Sequence, residues 1–125
     1  MRNLRLVTVA ALTALLLGAC SNVTNLLQPN KDLASGIKSY EDGDYKAALV
    51  SLQKAQNPDA SSKSDQVTAH KYLAFIHCVS GREDQCRAEF RKALTLDSSF
   101  DLKKSEAGHP VWGPVFRGEK AKFTQ

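Results

Sequence analysis

Two stretches decide the fold: YEDGDYKAALVSLQKA, Tyr40 to Ala55, and HCVSGREDQCRAEFRKAL, His77 to Leu94. Laying Gly43 on Gly81 also lays Ala48 on Cys86, Leu52 on Phe90 and Ala55 on Ala93, a constant offset of 38 residues. After each glycine, small and apolar residues recur at steps of four and three, which is one face of a helix. Each stretch therefore predicts a helix, a tight turn at the glycine and a second helix. The path is a first helix over Asp32 to Glu41, a second over Asp44 to Gln56, a third over Ser64 to Val79 and a fourth over Glu83 to Leu96. Ser62 or Ser64 supplies the third with an N-cap.

This unit resembles the tetratricopeptide repeat. The resemblance rests on Gly36 and Ala74 as the small residues where paired helices touch, on Tyr45 after the turn glycine, and on Leu52 and Phe90 as the large apolar residues of the second helices. The family period is about 34 residues, and the extra length here falls in NPDASSKSD, Asn57 to Asp65, a polar loop. The family tryptophan and proline are missing from both units, and Glu83 stands where the second unit would carry its aromatic. The expected fold is all-α: two tetratricopeptide-like hairpins over residues 32–97, followed by an irregular or helical cap over 98–125. Two repeats are short of the three usually needed for a stable stack, so the tail must cover the last pair. Phe100, Leu102, Trp112, Val115 and Phe116 are the residues to do it. Pro110, Gly113 and Pro114 make the same segment irregular, so Trp112 and Phe116 are equally candidates for an exposed partner-binding patch.

Outward from the repeats, the amino-terminal end reads differently. Arg2 and Arg5 precede an uncharged apolar run from Leu6 to Leu17, then Gly18, Ala19 and Cys20. This is the order of an export signal, and the run of about a dozen residues is shorter than the roughly 20 needed to span a bilayer. Leu17, Gly18, Ala19 and Cys20 together resemble the lipobox of bacterial lipoproteins. The resemblance implies removal of residues 1–19, diacylglycerol on the Cys20 thiol and acylation of the new amino group. Residues 20–31 form the lipidated end and a polar tether. Acyl chains at about 0.8 kcal/mol per buried methylene hold the protein to the membrane, and Ser21 rather than Asp after the cysteine favours the outer membrane, facing the periplasm.

Loss of Arg2 and Arg5 lowers the formal charge from +4 to +2, and no basic block with interleaved aromatics suggests nucleic acid. Cys78 and Cys86 flank the Gly81 turn, where a disulfide stapling the hairpin is geometrically reasonable. Buried free thiols and a redox-active pair are the other readings, although no CxxC motif opens a helix. His70 and His77 share a face two turns apart, too far to hold one zinc unaided, and are expected to be surface or half-buried residues. His109, before Pro110, reads as a turn residue. Glu41, Asp42, Asp44, Glu83, Asp84 and Glu89 alternate with lysines and arginines, as on solvated helix faces. No enzyme, no metal and no cofactor beyond the covalent lipid on Cys20 is expected.

The tail AGHPVWGPVFR, Ala107 to Arg117, following FDLKKSE, Phe100 to Glu106, resembles the small TssQ-family lipoproteins of type VI secretion. The resemblance takes in lipobox, repeats, cysteine pair and tail. It departs at Lys104, where a proline is expected. It implies an outer-membrane, periplasm-facing accessory touching the membrane complex of the secretion machine, and it brings no activity or binding residue. The expected function is protein binding by a concave face lined by Ser39, His70, Lys71 and His77. The alternatives are a pilotin-like lipoprotein escorting an outer-membrane ring and a periplasmic thiol-redox protein using Cys78 and Cys86.

Overall fold

The structure, a computed structural model, describes residues 29–125. Six helices follow one another among them: α1 (Lys31–Glu41), α2 (Tyr45–Ala55), α3 (Lys63–Val79), α4 (Glu83–Leu96), the single turn α5 (Lys104–Ala107) and α6 (Trp112–Ala121). The first four begin and end within one residue of the bounds read from the sequence. Local chemistry sets those ends. The Asn30 side chain accepts from the Leu33 N–H to open α1, Asp44 accepts from Ala47 to open α2, and Ser62 accepts from Asp65 to open α3, each satisfying one of the orphan donors of a first turn. Gly43 and Gly81 take φ of 78° and 75° between the paired helices, a left-handed conformation that costs glycine nothing and other residues about 1 kcal/mol or more.

The fold is all-α. α1 pairs with α2 and α3 with α4, and the two hairpins meet where α2, and to a lesser extent α1, pack on α3. At the first pairing the backbones come so close that a Cβ on Gly36 would lie 2.6 Å from Leu52 Cγ. Ala48, Leu52, Leu73 and Ile76 form the core between hairpins. A second core gathers Phe75, Cys86, Phe90 and Leu94 with Leu102, Trp112, Val115 and Phe116 from the tail. Tyr40 and Tyr72 pack against both cores.

The tail is a cap. α6 lies on α4 and its start reaches α3. Of the two roles open to Trp112 and Phe116, the structure shows the capping one: both are buried, Trp112 stacked on Phe75 at 4.1 Å between ring centroids and Phe116 edge-on to Phe90 at 5.2 Å. α6 forms despite Pro114 because that residue falls in the first turn, where the backbone N–H has no intrahelical partner to lose. Gly113 is needed there, since a Cβ would meet the Ala107 carbonyl oxygen at 2.6 Å. Lys104, the departure from the expected proline, is the first residue of α5, a position that proline's fixed φ also suits.

Among the described residues no helix is long and apolar enough to cross a membrane. Leu17, Gly18, Ala19 and Cys20 lie outside the described residues.

Candidate functional site

One face gathers aromatic rings from separate elements. Tyr45 at the start of α2 stacks with Tyr40 of α1 at 5.8 Å. Tyr40 meets Tyr72 of α3 edge-on at 5.1 Å and Phe75 at 6.3 Å. Phe75 carries Trp112, and Trp112 in turn carries His109 at 3.4 Å with planes 6° apart. The row thus crosses both hairpins and ends in the cap. Phe75 and Trp112 are buried and rigid, whereas Tyr45 is 38% exposed and Tyr40, Tyr72 and His109 are half-buried. Offset and edge-on contacts of this kind each add about 0.5–1.5 kcal/mol beyond their area.

The row has defined electrostatics. Burial, with the neighbouring tyrosines and Glu106 acting on Tyr40 and with Glu106 and Glu41 acting on Tyr72, raises both phenols above their ordinary value, so they stay protonated donors. No hydroxyl of Tyr40, Tyr45 or Tyr72 has a hydrogen-bond partner among the described residues, while the buried side-chain polar atoms are all satisfied. Glu41 is exposed at the end of α1, where its charge acts on Lys38.

The residues expected to line a concave face are not brought together as an open surface. Ser39 and His77 are half-buried. Arg82 Nε donates to His77 Nδ1 at 2.9 Å, which requires a neutral ring, and burial followed by the Arg82 charge lowers its pKa. Lys71 is buried beneath the tail: its ammonium pairs with Glu106 at 2.7 Å and stands 4.7 Å over the Tyr72 ring. His70 is buried too, with Nδ1 2.5 Å from Glu89 Oε2, so the surface or half-buried placement expected for it is corrected. Glu89, read as part of a solvated face, is likewise buried between His70 and Lys92. Burial alone would raise its pKa, but the bonds to His70 and Lys92 outweigh that and hold it below the ordinary carboxylate value. The correction has one cause: α4 turns Glu89 inward, beside Phe90, toward α3.

Cys78 and Cys86 are disulfide-bonded, with Cα atoms 5.1 Å apart, and both are buried. Of the three readings of the pair, the hairpin staple is the one present. Among the described residues no group of three or more His, Cys, Asp or Glu side chains is placed to hold a metal ion. An open cleft of about 530 Å³, lined by Lys63, Val67, Thr68, Lys71 and Phe100, adjoins the tail.

Tyr40, Tyr72 and Glu41 were not among the binding residues expected from the sequence. The signal for Tyr40 is its place four residues after Gly36 and seven after Leu33, on the buried face of α1. The chain matches no protein-family model, no curated protein and no solved structure.

Proposed function

We propose that this protein is a lipid-anchored, non-enzymatic binding module on the periplasmic face of the outer membrane, serving assembly of a type VI secretion membrane complex. The observation that supports binding is the aromatic row: rings fixed by two hairpins and a cap, with phenolic donors and a carboxylate left facing outward. Such a surface recognises a partner by shape and hydrogen bonding and needs no reactive group. The anchor rests on the lipobox resemblance at Leu17 to Cys20, and the secretion role rests on the resemblance of the Ala107 to Arg117 tail.

In-cell crosslinking of the tagged, membrane-bound protein, followed by mass spectrometry of what is captured, tests the reading. Subunits of the secretion membrane complex are expected, and the Cys20→Ser variant should lose them. Capture that is undiminished in Cys20→Ser would remove the anchor from the function. Dependence of capture on Cys78 and Cys86 in a folded double serine variant would point to thiol chemistry instead.

A further inference from the structure

We infer that the groove between α3 and α4 binds an acidic side chain of a protein partner, with an apolar residue beside it, against the Nε2 atom of His70; the site uses none of the residues of the aromatic row. Gln66 and His70 of α3 and Arg91, Lys92, Thr95 and Leu96 of α4 line this groove, which has a volume of about 340 Å³.

The first observation is His70 itself. Its side chain is 8% exposed and its Nδ1 lies against Glu89 Oε2. Glu89 is ionised, its pKa lowered against burial by the bonds to His70 and Lys92, so it only accepts and Nδ1 carries the proton. Nε2 has no hydrogen-bond partner among the described residues. No buried side-chain nitrogen or oxygen there lacks a partner, so Nε2 is not sealed in the core and opens on the groove that His70 lines. A ring held from behind by a carboxylate has its front nitrogen oriented in advance for a ligand.

The second is charge. Arg91 and Lys92 stand at the groove with side chains 52% and 55% exposed, whereas the carboxylates they meet, Glu119 and Glu89, are 0% and 11% exposed. Among the described residues no acidic side chain lines the groove. The positive ends reach water and the negative ends do not, so the face shown to a partner is cationic. Arg91 uses Nε and Nη2 on Glu119, and Lys92 makes one bond to Glu89. Donors therefore remain on Arg91 Nη1 and Lys92 Nζ for an incoming carboxylate. With that carboxylate in front and Glu89 behind, His70 is an imidazolium donating from both nitrogens. The same cations repel a metal ion from Nε2.

The third is what surrounds the charge. Leu96 and the methylene stems of Arg91 and Lys92 give the groove an apolar wall, which seats an apolar residue next to the acid. The lining residues all lie inside α3 and α4, where the backbone N–H groups are bonded along the helix. No nest of open amides is there to capture a chain terminus, so the carboxylate belongs to a side chain.

The test titrates the full-length protein in nonionic detergent micelles with three peptides of about six residues, capped at both ends and carrying glutamate, glutamine or lysine before a central leucine. Binding is read by calorimetry and by the nitrogen NMR signals of the His70 ring. The glutamate peptide should bind and move the Nε2 signal, the glutamine peptide should bind about tenfold more weakly, and the lysine peptide should not bind. Thr95 is exposed, so its variants fold: Thr95→Glu, which sets a competing carboxylate at the groove, should weaken the glutamate peptide about tenfold or more, and Thr95→Lys should strengthen it. Tyr45→Ala and Cys20→Ser should leave its affinity unchanged, so this site and the anchored-module reading stand or fall separately. Absence of binding by the glutamate peptide, equal affinity for the glutamine peptide, or an affinity that neither Thr95 variant moves would overturn the inference. Binding that leaves the His70 signals in place would overturn it too.

Discussion

At the scale of single residues, two glycines in helices make opposite predictions. Gly36→Ala drives a methyl to 2.6 Å from Leu52 Cγ and 3.2 Å from the Leu52 backbone nitrogen. The buried leucine has nowhere to retreat, and the cost is about 2 kcal/mol, read as a lower urea midpoint. Gly118, in the middle of α6, has nothing within 4 Å of its would-be Cβ; Gly118→Ala should raise the midpoint, by up to about 1 kcal/mol, because alanine loses less backbone entropy in a helix. Glu119 is the most deeply buried acid, with Arg91 Nε at 3.1 Å and Lys122 Nζ at 2.8 Å. Burial works to raise its pKa, and the bonds to Arg91 and Lys122 reverse that and leave it lowered, as at Glu89. Groups with depressed folded pKa values stabilise the protein fully above their unfolded values and lose that contribution as pH falls toward the folded ones. Melting temperature should therefore drop on acidification below about pH 4.5, and Glu119→Gln should make that limb shallower. Glu119→Ala should cost about 2 kcal/mol at neutral pH, less than a fully buried pair, because both cations keep contact with water.

At the scale of elements, the α3–α4 hairpin is held at its turn by the disulfide between residues separated by 8 and by the Arg82 bond to neutral His77. Replacing both cysteines with serine should lower stability by about 2 kcal/mol, the value for a short loop, without changing the helical circular dichroism of the fold. The bounds of the first four helices were legible because caps and turn glycines are local: Ser62, Asp44, Gly43 and Gly81 act within a few residues of themselves. α6 was harder to read. Gly113 and Pro114 look like helix breakers in a string of letters, and only the approach of Ala107 and the first-turn position of Pro114 make them helix-compatible. The His70–Glu89 pair was illegible for another reason, since each residue alone suits a wet surface and their burial depends on how α3 and α4 face each other. The aromatic row likewise draws on elements far apart in the chain, and no spacing rule joins Tyr45 to His109.

At the scale of the whole molecule, the cap completes what two hairpins cannot. Phe75, Phe90 and Leu94 close their core against Leu102, Trp112, Val115 and Phe116, and Lys120 ties α6 back to the carbonyls of Ser98 and Phe100 at 2.9 and 2.7 Å. Deleting residues 98–125 should therefore yield a chain without a cooperative melting transition, because a terminal repeat with a bare apolar face is not soluble on its own. A substitution that merely weakened a partner site would leave melting intact. The packing of α1 also has a mechanical side. The chain enters α1 at Asn30, whose amide is fastened to Ser61 Oγ at 2.6 Å, while Tyr40 and Glu41 stand at the other end of the helix, about 16 Å away at the helical rise. On the function proposed above, tension between a lipid anchor and a partner held on the tyrosines would pass lengthwise through α1. That direction loads the Gly36–Leu52 interlock sideways, as a tooth in a rack rather than the leading edge of a peel, so a close fit of one helix against another lies where a tethered protein would be pulled.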